Sequence, residues 1–226
     1  MTVLPGEQRL VRLRGYCNQL LMVIIINVPT VSFGLAMGWV SLASGEGGGE
    51  GGGEGEGGGG ALVGAAATTF AAQLAAVPLC ARALAAGRRP ALLATSLAFV
   101  ACWSLKLVGG GWWVVGGRAC AGLGGAGAWA VAPLLAREMC ERRVRGAAVS
   151  ALVLAHNLGF LLMYLAADHA VPHRTVLWLC LGLSLAHCAV CLFVPESPAY
   201  LAATGRYEEA QASLGWLRGR RGWCGA

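Results

Sequence analysis

Gln73, Arg118, His156, Asn157 and His187 are polar side chains set inside long apolar runs, and they are where this sequence could do chemistry. Gln73 and Asn157 offer neutral donors and acceptors with no counter-charge, which suits a hydroxyl-rich, sugar-like ligand. Hydrogen bonds between helices would use the same groups equally well. A charge such as Arg118 costs about 2.5 to 3.5 kcal/mol within a membrane span, so it either faces an interior or snorkels to an interface marked by Trp112 and Trp113. Cys188 and Cys191 in "HCAVC" could form a redox pair, or be two small apolar residues on one helix face. "AREMCERRVRGAAV" sets Glu138 and Arg145 seven residues apart, with Glu196 of "PESP" as a further acid. It reads either as a solvated loop of mixed charge or as an ion-pair cluster locking helix ends. "GLGGAG", Gly122 to Gly127, spells a dinucleotide-binding fingerprint, but no strand precedes it and helix packing is the better account.

The elements that must position these groups follow from composition. Of 226 residues, 57% are hydrophobic and 12% charged, with mean hydropathy +0.63, where a soluble domain carries about 25% charge. The apolar residues fall in blocks long enough to cross a bilayer, which needs about 20 residues. Six spans are expected, at 16–42, 61–84, 91–108, 112–136, 147–167 and 176–194, after an N-terminal tail over 1–15. Between the first two lies the Gly/Glu-rich stretch 45–60, expected to be a flexible acidic loop on the extracellular side. Gly117, Ala121 and Gly125 recur every four residues in the fourth span, a row that lets helix backbones approach closely. From 195 onward the pattern changes. Tyr207, Ala210, Leu214 and Leu217 mark the apolar stripe of a short surface helix.

The net charge of +6 comes from arginines placed between apolar blocks, not from a basic stripe with interleaved aromatics. Nucleic acid is therefore excluded as a partner, and the lipid bilayer is the expected one. Arginines cluster at 9–14, 82–89, 137–145 and 206–221, while the opposite loops hold only Lys106 and Arg174 beside several acids. By the positive-inside rule both termini are cytoplasmic. Most of the nine cysteines lie inside apolar runs and say nothing of redox compartment. No metal, cofactor or catalytic group is expected, and the chain does not read as an enzyme.

"AGRRP" after the second span, "GRACAGLGGAG" in the fourth, Pro133 through Glu138 to Arg145 and Gly146, and "PESPAYL" followed by "GRYEEA" resemble the sugar porter family of the major facilitator superfamily. "SFGLAMGWVS" in the first span is most similar to the insect facilitated trehalose transporters within it. The resemblance implies an all-α membrane protein: six transmembrane helices forming the N-terminal half of a major facilitator bundle, then the PESP motif and the start of a cytoplasmic helical linker over 195–226. It implies a plasma-membrane facilitative carrier for a mono- or disaccharide, working by alternating access. Arg88, Arg89, Glu138, Arg145 and Glu196 would form a cytoplasmic charge network stabilising the outward-open state. The other cavity wall would come from a missing C-terminal six-helix half or a second copy, because "RGWCGA" resembles no natural ending of this fold. Several family positions differ here. Leu84 and Ala85 replace an aspartate and an arginine, Val153 a sugar-binding glutamine, Leu135 a tyrosine, and Ala36 the acid of proton-coupled relatives. Ala36 favours facilitated diffusion. The other losses leave a non-transporting sensor or assembly partner as the alternative, and Cys188 with Cys191 leave a membrane thiol oxidoreductase as a third.

Overall fold

The computed structural model describes residues 5–46, 57–109, 111–169 and 171–219, and every regular element among them is helical. Six long helices, α1 (Pro5–Glu46), α2 (Gly57–Ala86), α3 (Arg88–Val108), α4 (Gly111–Met139), α5 (Arg142–Asp168) and α6 (His173–Cys191), precede the short α7 (Pro198–Ala203) and α8 (Tyr207–Leu217). All six long helices are apolar and long enough to cross a membrane. The expected six-span architecture is therefore the observed one.

Boundaries differ where polar groups carry a helix past its apolar run. Residues 5–15, read as a tail, continue α1, a helix of 42 residues and roughly 60 Å at about 1.5 Å per residue. That is twice the roughly 30 Å hydrocarbon core, so Arg9, Arg12 and Arg14 ride a helical extension outside the lipid. The expected loop over 45–60 is shorter than its glycine content suggested: α1 runs to Glu46 and α2 starts at Gly57. Residues 47–56, with most of its acids, lie outside the described part. α6 ends at Cys191, three residues before the expected 194.

Glycine in α4 sets the packing. A Cβ at Gly122 would land on the Thr69 carbonyl of α2, one at Gly124 on the Phe99 ring of α3, and one at Gly125 on the Phe33 ring of α1. The "GLGGAG" stretch is thus a contact surface on three sides, and α4 is the hub against which α1, α2 and α3 pack. α1 and α5 meet in the same way, since a Cβ at Gly34 would strike the His156 carbonyl and one at Gly159 the Val31 carbonyl. α2 and α5 are the least enclosed of the six spans, and α1 and α4 the most.

One proline explains a buried histidine. Pro29 inside α1 has no N–H, so the Ile25 carbonyl four residues back loses its helical partner. His187 Nε2 of α6 bonds that oxygen at 2.9 Å, and its Nδ1 meets Ser96 Oγ of α3 at 2.7 Å. Lipid offers no water to the orphaned carbonyl, so the neighbouring helix must serve it. Three helices are tied at one buried point. His187→Leu nearly keeps the volume and removes both bonds; thermal unfolding in detergent is expected to show a loss of about 1 kcal/mol, and an unchanged unfolding temperature would contradict the assignment.

Candidate functional site

Glu196 and Arg89 exchange helix caps at the arginine-rich end of the bundle. α3 begins after Gly87, whose φ of 142° is closed to most side chains and which supplies no side-chain cap. The first N–H groups of α3 would be orphans. The Glu196 carboxylate takes them: Arg88 N and Arg89 N donate to Oε1 at 2.8 and 3.0 Å. A Cβ at Gly87 would press on Glu196 Oε2 at 2.9 Å, so the glycine also makes room for the acid. In return, the Arg89 guanidinium donates to the Cys191 carbonyl at 3.2 Å and to the Leu192 carbonyl. Those carbonyls end α6, where a cation is favoured. Pro195 has no N–H to give the Cys191 carbonyl, so α6 stops short of 194 and Arg89 serves the freed oxygens.

Arg88 forks onto Glu138 beside that exchange. Its Nη2 donates to Oε1 at 2.8 Å and its Nε to Oε2 at 3.0 Å, with both side chains mostly buried. Ser197 Oγ donates to the second oxygen of Glu138 at 2.5 Å, and the Tyr200 ring lies 4.9 Å from the Arg88 guanidinium. At Leu84 and Ala85 it is the backbone that takes part. Leu84 O accepts from Arg88 Nη1 at 3.2 Å and Ala85 O from the Tyr200 hydroxyl at 3.3 Å. Ser213 Oγ donates to Glu196 O at 2.8 Å and Asn18 Nδ2 to Trp216 O at 2.7 Å, seating α8 against the bundle. The buried face of α8 is Ala210, Ser213 and Leu217. Tyr207 and Leu214, expected on that face, are 66% and 37% exposed. On a short helix held by hydrogen bonds, serine displaces larger apolar groups from the contact.

The structure brings Arg88, Arg89, Glu138 and Glu196 together and leaves Arg145 apart from them. Arg145 has no ion pair or hydrogen bond to Glu138 or Glu196 among the described contacts, and its Nε is buried without a partner. Glu196 meets backbone amides, not guanidiniums. Ser197 and Tyr200 were missed by reading charge alone; the N-cap pattern Ser-Pro at 197–198 was the available signal.

Gln73 is half-buried on α2, and Asn157 is exposed on α5 with its Nδ2 turned back onto Val153 O at 2.9 Å. α1 and α4 pack between those two helices, so the two residues do not form one cluster. His156 is the polar group that does sit among partners. Its ring stacks on Phe33 of α1 at 5.3 Å and meets Trp129 of α4 at 5.5 Å and Phe160 at 5.0 Å, with Tyr164 stacked beyond. The four-residue spacing of 156, 160 and 164 announced this row. Arg118 is 2% exposed, so of its two readings the interior one describes its position. Lys106, read as a loop charge, is 4% exposed, its Nζ 4.4 Å from both the Trp39 and Trp103 rings. No group of three or more potential metal ligands occurs among the described residues.

A double-mutant cycle on Arg88→Ala and Glu138→Ala tests the clamp. A mostly buried, bidentate pair lies between exposed pairs and fully buried ones, so each single change is expected to cost about 2 kcal/mol with a coupling of about 1 kcal/mol. Additive losses in thermal unfolding would show the pair to be incidental.

Comparison with known proteins places this geometry. Residues 62–223 match the family model described as "Sugar (and other) transporter". The low-affinity glucose transporter HXT1 of Saccharomyces cerevisiae is 36% identical over 104 residues, 43% of this chain and 18% of that protein. The facilitated trehalose transporter Tret1 of Polypedilum vanderplanki is 29% identical over 136 residues, 60% of this chain and 27% of that protein. Among solved structures, the proton:xylose symporter XylE bound to 6-bromo-6-deoxy-D-glucose superimposes with a TM-score of 0.74 at 20% identity, over 90% of this chain and 50% of that one. That likeness speaks for the fold. The chain spans 18 to 27% of the length of these curated relatives in their matched regions, and half of the symporter chain. The relatives are carriers, not enzymes. This chain is a multi-pass membrane protein that belongs to the sugar (and other) transporter family.

Proposed function

We propose that the chain is one half of a facilitative sugar carrier, its substrate a mono- or disaccharide such as glucose or trehalose. The observation that carries this is the aromatic group of Phe33, Trp129, His156 and Phe160, where α1, α4 and α5 meet. Sugar sites pair flat apolar surfaces with a few polar groups, and His156 with the exposed Asn157 supplies the latter. α2 and α5, least enclosed in the bundle, are the surfaces left for a second six-helix half or a second copy. Sugar held between the halves would be exposed to each side in turn as they rock. Ala36, at the position of the acid in proton-coupled relatives, supports facilitated diffusion.

In this reading both termini are cytoplasmic, the membrane is the plasma membrane, and the clamp of Arg88, Arg89, Glu138 and Glu196 keeps the cytoplasmic ends of α3, α4 and α6 in one rigid piece. Uptake of labelled D-glucose and trehalose into proteoliposomes is the test. Protein carrying both halves is expected to transport, residues 1–226 alone are not, and Phe160→Ala is expected to lower uptake several-fold. Uptake by 1–226 alone, or equal uptake of D- and L-glucose by the complete protein, would sink the proposal.

A further inference from the structure

Two adjoining hollows of 450 and 230 Å³ open at the same end of the bundle as the clamp, on the side of α1, α8 and the turn between α4 and α5. They share Gln19, Glu141 and Arg218 in their walls. Arg142, Arg143 and Arg145 line the larger hollow, and Arg12 the smaller. Five arginines therefore line this basin, against two acids, Glu138 and Glu141. Glu138 is already committed, since both of its oxygens are held by Arg88 and Ser197. Arg88 pairs with Glu138 and Arg206 with Glu209, and among the described residues no basin arginine takes part in an ion pair. Arg145 Nε is buried there with no hydrogen-bond partner. α5 begins in the same wall with no side-chain cap on its first turn, adding the positive end of a 27-residue helix.

A concave site of this volume lies in the range of small-molecule pockets, and its donors form planar forks suited to phosphate oxygens. We infer that the basin binds a multiply phosphorylated anion, and that the bound anion bridges the start of α5 to α8. The phosphates could belong to a membrane lipid headgroup or to a soluble molecule, and the chemistry of the grip is the same. The inference depends on the basin facing the cytoplasm and is independent of sugar transport.

The test uses the complete protein in nanodiscs. Inositol trisphosphate is titrated by calorimetry against protein in phosphatidylcholine discs, and thermal stability is compared between those discs and discs containing phosphatidylinositol bisphosphate. Saturable binding of the soluble probe in phosphatidylcholine points to a soluble source. Stabilisation by the bisphosphate lipid without soluble binding points to the membrane, and either result supports the site. Arg142→Gln, Arg143→Gln and Arg218→Gln together are expected to weaken binding at least about tenfold, while Arg206→Gln outside the basin leaves it unchanged. Arg142→Lys with Arg143→Lys preserves charge and fold, and is expected to weaken binding by loss of the fork. Parent-like binding in both the glutamine and lysine variants, no response to either probe, or equal competition by polyglutamate would overturn the assignment. Sugar uptake measured in parallel separates this outcome from the fate of the carrier reading.

Discussion

A helix that ends at a membrane boundary leaves polar backbone groups with few partners, and this bundle solves the problem at two helix ends with one exchange. Glu196, carried past the end of α6, closes the start of α3; Arg89, carried at the start of α3, closes the end of α6. Each residue gives its neighbour's helix what that helix lacks, an anion at the positive end and a cation at the negative end. The fork of Arg88 onto Glu138 adds α4, and Ser197 binds the chain leaving α6 to the same acid. The orientation of α8 depends in turn on this joint, through Ser213 on the Glu196 carbonyl.

The same constraint acts in the interior, where His187 serves the carbonyl that Pro29 strands. A proline within a span and a histidine within another look like separate irregularities in the sequence. The proline frees the Ile25 carbonyl and the histidine bonds it, across 162 residues of sequence. Polar residues at this depth therefore divide into those that maintain the bundle, such as His187 and Ser96, and those left on its accessible side, such as Asn157.

Span number and helix type were legible in the sequence because each apolar run exceeds the membrane minimum, and the joint's members were legible because PESP and GRR are distinctive strings. How the members meet was not. An acid among arginines suggests side-chain pairing, and nothing in residue types reveals that Gly87 opens a path to backbone amides. Arg145 looks equivalent to Arg88 by charge and boundary position, yet only Arg88 reaches Glu138. Helix ends were misread wherever charged residues extend a helix beyond its apolar run, as in α1 and α5. Of the stripe on α8, Ala210 and Leu217 are buried while Tyr207 and Leu214 are not, because periodicity cannot tell which side of a weakly amphipathic helix finds hydrogen bonds.

The glycines of α4 bear on how the protein is made. α4 is rich in glycine and carries the buried Arg118, and both features are accommodated among neighbouring helices. Its docking surfaces, Thr69 of α2, Phe99 of α3 and Phe33 of α1, all belong to helices synthesised before it. When α4 leaves the ribosome, the residues that accept its glycines have already been made. The order of the helices along the sequence thus suits an order of assembly in which the glycine-rich span is made after the three that receive it.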